Sequence, residues 1–205
     1  MSDVTAPLLR LDFEPAVALL LHIDMPDRDR RDRATVEALK RATGRTDIVL
    51  RRRESGRPAL APPYHELGVS IARREGLVLV GFAPDRQVGV DFDAGDAIPL
   101  AEGARLAADH FSPSEAQAIA SLEPHTARNA FMRLWVAKEA ALKTTGRGIF
   151  DGLDEPDLAS HLVALDSHAP DIHLPASAKL PALRLTMAVA KAGSTHLICA
   201  LAMAT

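Results

Sequence analysis

Two carboxylates stand two residues apart in the stretch "VGVDFD" (88–93), and the stretch alternates cleanly. Read as a β-strand, it sends Val88, Val90 and Phe92 to one face and Gly89, Asp91 and Asp93 to the other. Aspartates so placed lie roughly 7 Å apart. Like charges at that spacing on a partly buried face raise each other's pKa or recruit a cation. A hard divalent ion held by one or two carboxylates together with phosphate oxygens is one such arrangement. A solvent-facing sheet edge would carry the same pattern.

A second group of ionisable residues follows in "RLWVAKEAALKTTGRG" (133–148). Stepped at about 100° per residue, the stretch is an amphipathic helix in which Phe131, Leu134, Trp135 and Leu142 form one apolar stripe. Lys138 falls inside that stripe, and Glu139 and Lys143, four residues apart, line its flank. Together the strand and helix offer three acids and two lysines, the parts of a site for magnesium and a polyphosphate. In that site the metal would bridge phosphate oxygens and the lysines would neutralise the rest. For Lys138 the competing reading is a stem packed in the core with its ammonium snorkelling out.

The elements that must position these residues follow from punctuation and period. "PLLRLDFEPAVALLLHIDM" (7–25) reads as two strands around a Glu-Pro turn, and 28–45 as a basic helix ending near Gly44. A strand, a turn at Ser55-Gly56 and a Pro-rich loop come next; 66–82 suggests a hairpin turning near Glu75-Gly76. Residues 97–111 read as a helix. Another starts at Ser112, where Pro113 at the first helical position and Glu115 three residues on complete a capping box. After the helix at 133–148, "HLVAL", "LRLTMAVAK" and "HLICALAMA" read as strands. Both halves are thus mixed, with a candidate boundary near 94–99.

With 205 residues, 47% of them hydrophobic, the chain is long enough to bury a core as one domain or two small lobes. A net charge of −3 gives no global case for nucleic acid or membrane binding, although "DRDRRDR" (27–33) and "RRRESGR" (51–57) concentrate basic residues early. The single cysteine, Cys199, lies in an apolar run and reads as a core hydrophobe, which excludes a disulfide framework or a cysteine zinc site. No apolar run reaches membrane-spanning length, and the first residues lack a basic segment followed by an apolar one, so a cytoplasmic protein is expected. No P-loop, H-E-x-x-H or G-x-S-x-G motif occurs.

"GVDFD" followed some forty residues later by "FMRLWVAKEAALKTTGRGI" resembles the paired signatures of the 4′-phosphopantetheinyl transferases, written G-[VI]-D-x-[ED] and W-x-x-K-E-[AS]-x-x-K. It is most similar to the larger, surfactin-synthetase-activating type. "HFSPSE" (110–115) looks like the family's helix start between the signatures, and "ESGRPAL" (54–60) like its G-[KR]-P element. The resemblance implies an α+β fold of two pseudo-symmetric lobes, 1–97 and 98–205, with the active site in the cleft between them. It implies transfer of the phosphopantetheine arm from coenzyme A to a serine of an acyl, polyketide or peptidyl carrier protein by a monomer. By the same resemblance Asp91, Asp93 and Glu139 would hold Mg²⁺, and Glu139 or a metal-bound water would accept the serine proton. Lys138 and Lys143 would face the pyrophosphate as it breaks, and Arg57 the nucleotide phosphate end.

The pattern departs from the family in one place. The histidine of its F-N-x-S-H-S segment, which contacts a coenzyme A phosphate, is matched to Ile71 in "LGVSIARREG" (67–76), with Arg73 and Arg74 as candidate substitutes. Ile71 favours a competing reading, a degenerate homologue that binds coenzyme A or a carrier protein without catalysis. A metal-dependent nucleotide phosphohydrolase is a third reading.

Overall fold

The computed structural model describes residues 7–22, 28–146 and 152–205. The first sheet contains β1 (Leu9–Phe13), β2 (Ala16–His22), β5 (Leu67–Arg74) and β6 (Leu77–Pro84) in the order β1-β2-β6-β5. Its two turns are those the sequence indicates, at Glu14-Pro15 and at Glu75-Gly76, where both residues have positive φ. The helix α1 (Arg28–Thr43) covers its outer face, packing Ala38 and Leu39 with Val78 and Val80. A short ribbon of β3 (Leu50–Arg52) and β4 (Pro58–Leu60) carries the G-R-P element, turning through Gly56.

The second sheet has the order β7-β10-β9-β8, from β7 (Val88–Ala94), β8 (Ile172–Leu174), β9 (Leu183–Ala192) and β10 (Thr195–Ala204). Its outer face is covered by α4 (Pro124–Thr145), with α2 (Gly103–His110) and α3 (Pro113–Ala120) beside it. Between the sheets runs a shared core, in which Leu20 and Leu79 of the first meet Val90, Leu201 and Met203 of the second. Cys199 belongs to this core, and burial pushes its thiol up to about 12, with Asp91 adding to the shift, so it is no nucleophile. Among the described residues no helix is long and apolar enough to cross a membrane.

The strand bearing the aspartates pairs with β10 along its length, so it lies in the second sheet and the two sheets divide before Val88. One expectation is corrected. "HLVAL" is not a strand: His161 ends a 3-10 turn and Leu162–Leu165 form most of α5 (Leu162–Asp166), a run too short for period alone to assign. The basic segment 27–33 lies partly outside the described residues, as does the end of the signature helix match at 147–149.

Candidate active site

The site is built where the edges of the two sheets meet. β5 lies beside β7, and the free amide of Val90 donates to the buried hydroxyl of Ser70 at 3.1 Å. Across the same junction Arg74 of β5 ion-pairs with Asp93 of β7, whose carboxylate also accepts from the Ala94 amide at 2.6 Å. The alternation of β7 is as expected: Val88, Val90 and Phe92 enter the shared core, leaving Gly89, Asp91 and Asp93 on the side of α4.

Gly89 is what lets α4 lie down on that strand. A Cβ built there would overlap the Ala140 carbonyl oxygen and come within 2.9 Å of the Thr144 amide nitrogen. With the helix that close, its polar flank reaches the aspartates. Lys143 donates to Asp91 at 2.6 Å, and their side chains remain 31% and 14% exposed, so solvent reaches the pair from one side. Glu139, one turn earlier, shares this space. Burial first, and then the Asp91 charge, push its carboxyl up to about 7, with Lys143 pulling the other way. Burial likewise raises the Asp91 carboxyl against the pull of Lys143.

The cluster therefore holds two carboxylates and one ammonium in a poorly solvated space, an excess of negative charge. Its acids are raised rather than lowered, which predicts an unusual pH dependence. Glu139 holds its proton more tightly folded than unfolded, so its contribution to stability is complete below its ordinary value of 4.5 and is lost as pH rises towards about 7. Thermal midpoints of wild type and Glu139→Gln, compared without metal from pH 5 to 8, should diverge in favour of the variant as pH rises. Parallel curves would contradict the assignment.

Of the residues expected at the site, the structure brings together Asp91, Glu139 and Lys143. Asp93 is near on the same strand but is held by Arg74. Among the described residues no three histidine, cysteine or acidic side chains form a ready-made metal group. Arg57 lies across the end of α4, its Nη1 3.3 Å from where a Gly146 Cβ would be. Burial and the neighbouring Arg53 bring its guanidinium below the ordinary arginine value.

Lys138, Arg73 and Ile71 lie apart from the cluster. Lys138 does not join the cluster: its side chain is fully enclosed and paired with Glu115 at 2.8 Å. Arg73 points away from the junction to Asp32 of α1, and Ile71 on the same strand face packs against the α1 core. The alternation of β5 explains both, since even-numbered Ser70 and Arg74 face β7 while odd-numbered residues face the helix. Of the two arginines, Arg74 is the one that faces β7, and Ile71 lies on the other face of β5. Trp135 is half-buried, 5.8 Å from the Phe131 ring and edge-on to His110 at 6.2 Å. It lines a groove of about 230 Å³ with Ile98, Leu106 and Met132 that opens beside Asp93 and Arg74.

Residues 87–185 match the family model of the 4′-phosphopantetheinyl transferase superfamily. A Synechocystis protein provisionally named as a 4′-phosphopantetheinyl transferase is 36% identical over 86 residues, 42% of this chain and 34% of its own length. The 4′-phosphopantetheinyl transferase HetI of Nostoc is 32% identical over 106 residues, 51% of this chain and 44% of its own length. The chain thus spans less than half the length of these curated relatives. The matched region contains every residue of the Asp91, Glu139 and Lys143 cluster.

Proposed function

We propose that this chain is a 4′-phosphopantetheinyl transferase of the larger, two-lobed type, moving the phosphopantetheine arm of coenzyme A to a serine hydroxyl of a carrier protein. The observation that carries the reading is the Asp91–Lys143–Glu139 cluster, set between β7 and α4 inside the region matched by the family model. The two sheets, each backed by a helix and joined along β5 and β7, suit a cleft between pseudo-symmetric halves. Both borders of that cleft come from one chain, so a monomer suffices.

The cluster fits Mg²⁺ on its own chemistry. Two carboxylates sharing one lysine leave a negative charge uncompensated, and carboxylate oxygens are the donors a hard divalent ion takes. Asp91 and Glu139 would hold it, with Asp93 as the further carboxylate on the same strand face. When bound, the ion supplies Lewis-acid stabilisation of the charge that develops on the pyrophosphate.

The protein's own side chains supply the rest. Lys143 presents a partly exposed ammonium beside Asp91, positioned to take a pyrophosphate oxygen. Arg74 and Arg57 bracket the cluster, one at Asp93 and one at the end of α4, as cations for further phosphate oxygens. The groove along Trp135 and Met132 offers apolar walls to the pantetheine arm. As the serine Oγ–P bond forms, the pyrophosphate P–O bond breaks, 3′,5′-adenosine diphosphate leaves with the electron pair, and the serine proton passes to Glu139.

Incubating an apo carrier protein with coenzyme A, Mg²⁺ and the enzyme should add one phosphopantetheine to the carrier mass. Coenzyme A binding with no transfer to any of several carriers would favour a binding protein instead. Phosphate release or coenzyme A cleavage without a carrier would indicate a phosphohydrolase.

A further inference from the structure

Lys138 occupies the centre of the helix signature, yet it is turned away from the cluster its neighbour Glu139 belongs to. We propose that Lys138 is a positioning residue: through its buried ion pair with Glu115 it fixes the rotation of α4 and keeps Glu139 turned towards Asp91. The proposal rests on the transferase reading for what Glu139 does.

Both side chains of the pair are 0% exposed, which leaves no ammonium surface for a phosphate. The Lys138 Nζ stands 2.8 Å from Glu115 Oε2, donates to the Pro156 carbonyl at 2.5 Å, and lies 5.3 Å from the centre of the Phe111 ring. Burial pulls this ammonium below its ordinary value while Glu115 pulls it back. Glu115 accepts in turn from the Ser112 amide at 3.0 Å, as the capping box of α3, and from the Leu158 amide at 2.8 Å. One carboxylate thus ties the start of α3 and the 156–158 segment to the middle of α4, with partners for both of its oxygens.

Such a pair adds little net stability over apolar residues of the same size, because desolvation offsets its attraction. What an apolar pair lacks is direction. Neighbouring helical residues point about 100° apart, so a helix with Lys138 locked towards α3 and Pro156 must carry Glu139 away from them, towards β7. A one-residue slip would instead bury Glu139 beside Glu115, two carboxylates with no cation between them. Gly89 sets how close α4 comes to the strand; the ion pair sets which way it faces.

The test uses Lys138→Met combined with Glu115→Gln, which removes both buried charges. Thermal midpoint, Mn²⁺ affinity without coenzyme A, coenzyme A affinity without metal, and transfer kinetics are compared with wild type. The double variant should fold, bind coenzyme A within about twofold of wild type, and lose roughly 10- to 100-fold in Mn²⁺ affinity and in kcat, the range for residues that orient a metal ligand. Glu115→Asp, which keeps both charges and shortens the link by one carbon, should show the same split at smaller amplitude and serves if the double variant does not fold. A tenfold loss of coenzyme A affinity in a folded variant would make Lys138 a phosphate ligand and overturn the proposal. Wild-type Mn²⁺ affinity and kcat would overturn it too, leaving the pair as packing alone. Should wild type itself transfer nothing, the transferase reading fails, while Mn²⁺ affinity still tests the positioning.

Discussion

Asp91→Asn should fold as wild type does and lose transfer activity by roughly 10³-fold or more, the scale for removing a charge aimed at the transition state. The asparagine keeps an acceptor oxygen for Lys143, so the 2.6 Å contact need not be lost. It removes the Asp91 charge that adds to burial in raising Glu139, so the Glu139 carboxyl should move down while burial still holds it above its ordinary value. Stability above pH 7 should therefore change by no more than about 1 kcal/mol, the net worth of an ordinary hydrogen bond, with the direction favouring the variant. Thermal denaturation and carrier mass read the two effects separately. A variant that is strongly destabilised would make Asp91 a structural residue, and one that transfers at the wild-type rate would remove it from the site.

Gly89→Ala carries the largest stability cost we expect from a single methyl group. The added carbon would overlap the Ala140 carbonyl and crowd the Thr144 amide at 2.9 Å; both belong to the backbone of α4, so no side-chain rotation relieves the clash. The helix must lift or turn, at about 3 kcal/mol, the upper end for overpacking. For a chain of this size that is a fall of roughly 6–12 °C in thermal midpoint. Because the movement separates Glu139 from Asp91, transfer should fall with it. Gly95→Ala is the control: the nearest atoms to its added carbon are 3.8 Å away, and no change is expected. Equal midpoints for the two variants would mean that β7 and α4 are not packed as described.

Much of the site was legible in consecutive residues. The alternation of 88–93 fixed which side chains share a face, and the capping box at Ser112–Glu115 formed as written. The i,i+4 spacing of Glu139 and Lys143 put both on the flank that meets Asp91. These features persist because the periods of strand and helix are local properties of the backbone. Turns at Ser55-Gly56 and Glu75-Gly76 were readable for the same reason, since φ > 0 restricts which residues stand there.

What consecutive residues do not encode is which element each face meets. The wheel placed Lys138 in an apolar stripe but not the partner across from it, and Glu115, visible as a cap, gave no sign that its carboxylate would also reach Lys138. Arg73 and Arg74 are adjacent in the chain and end on opposite faces of β5, one on Asp32 and one on Asp93, once the sheet is sandwiched between α1 and β7. The membership of β7 in the second sheet likewise rests on its pairing with β10, more than a hundred residues away. The sequence by itself determined the chemistry present and the local direction of each side chain. Only the tertiary structure decided which cations face the carboxylates and which are spent on holding the helix, because that depends on contacts between distant segments.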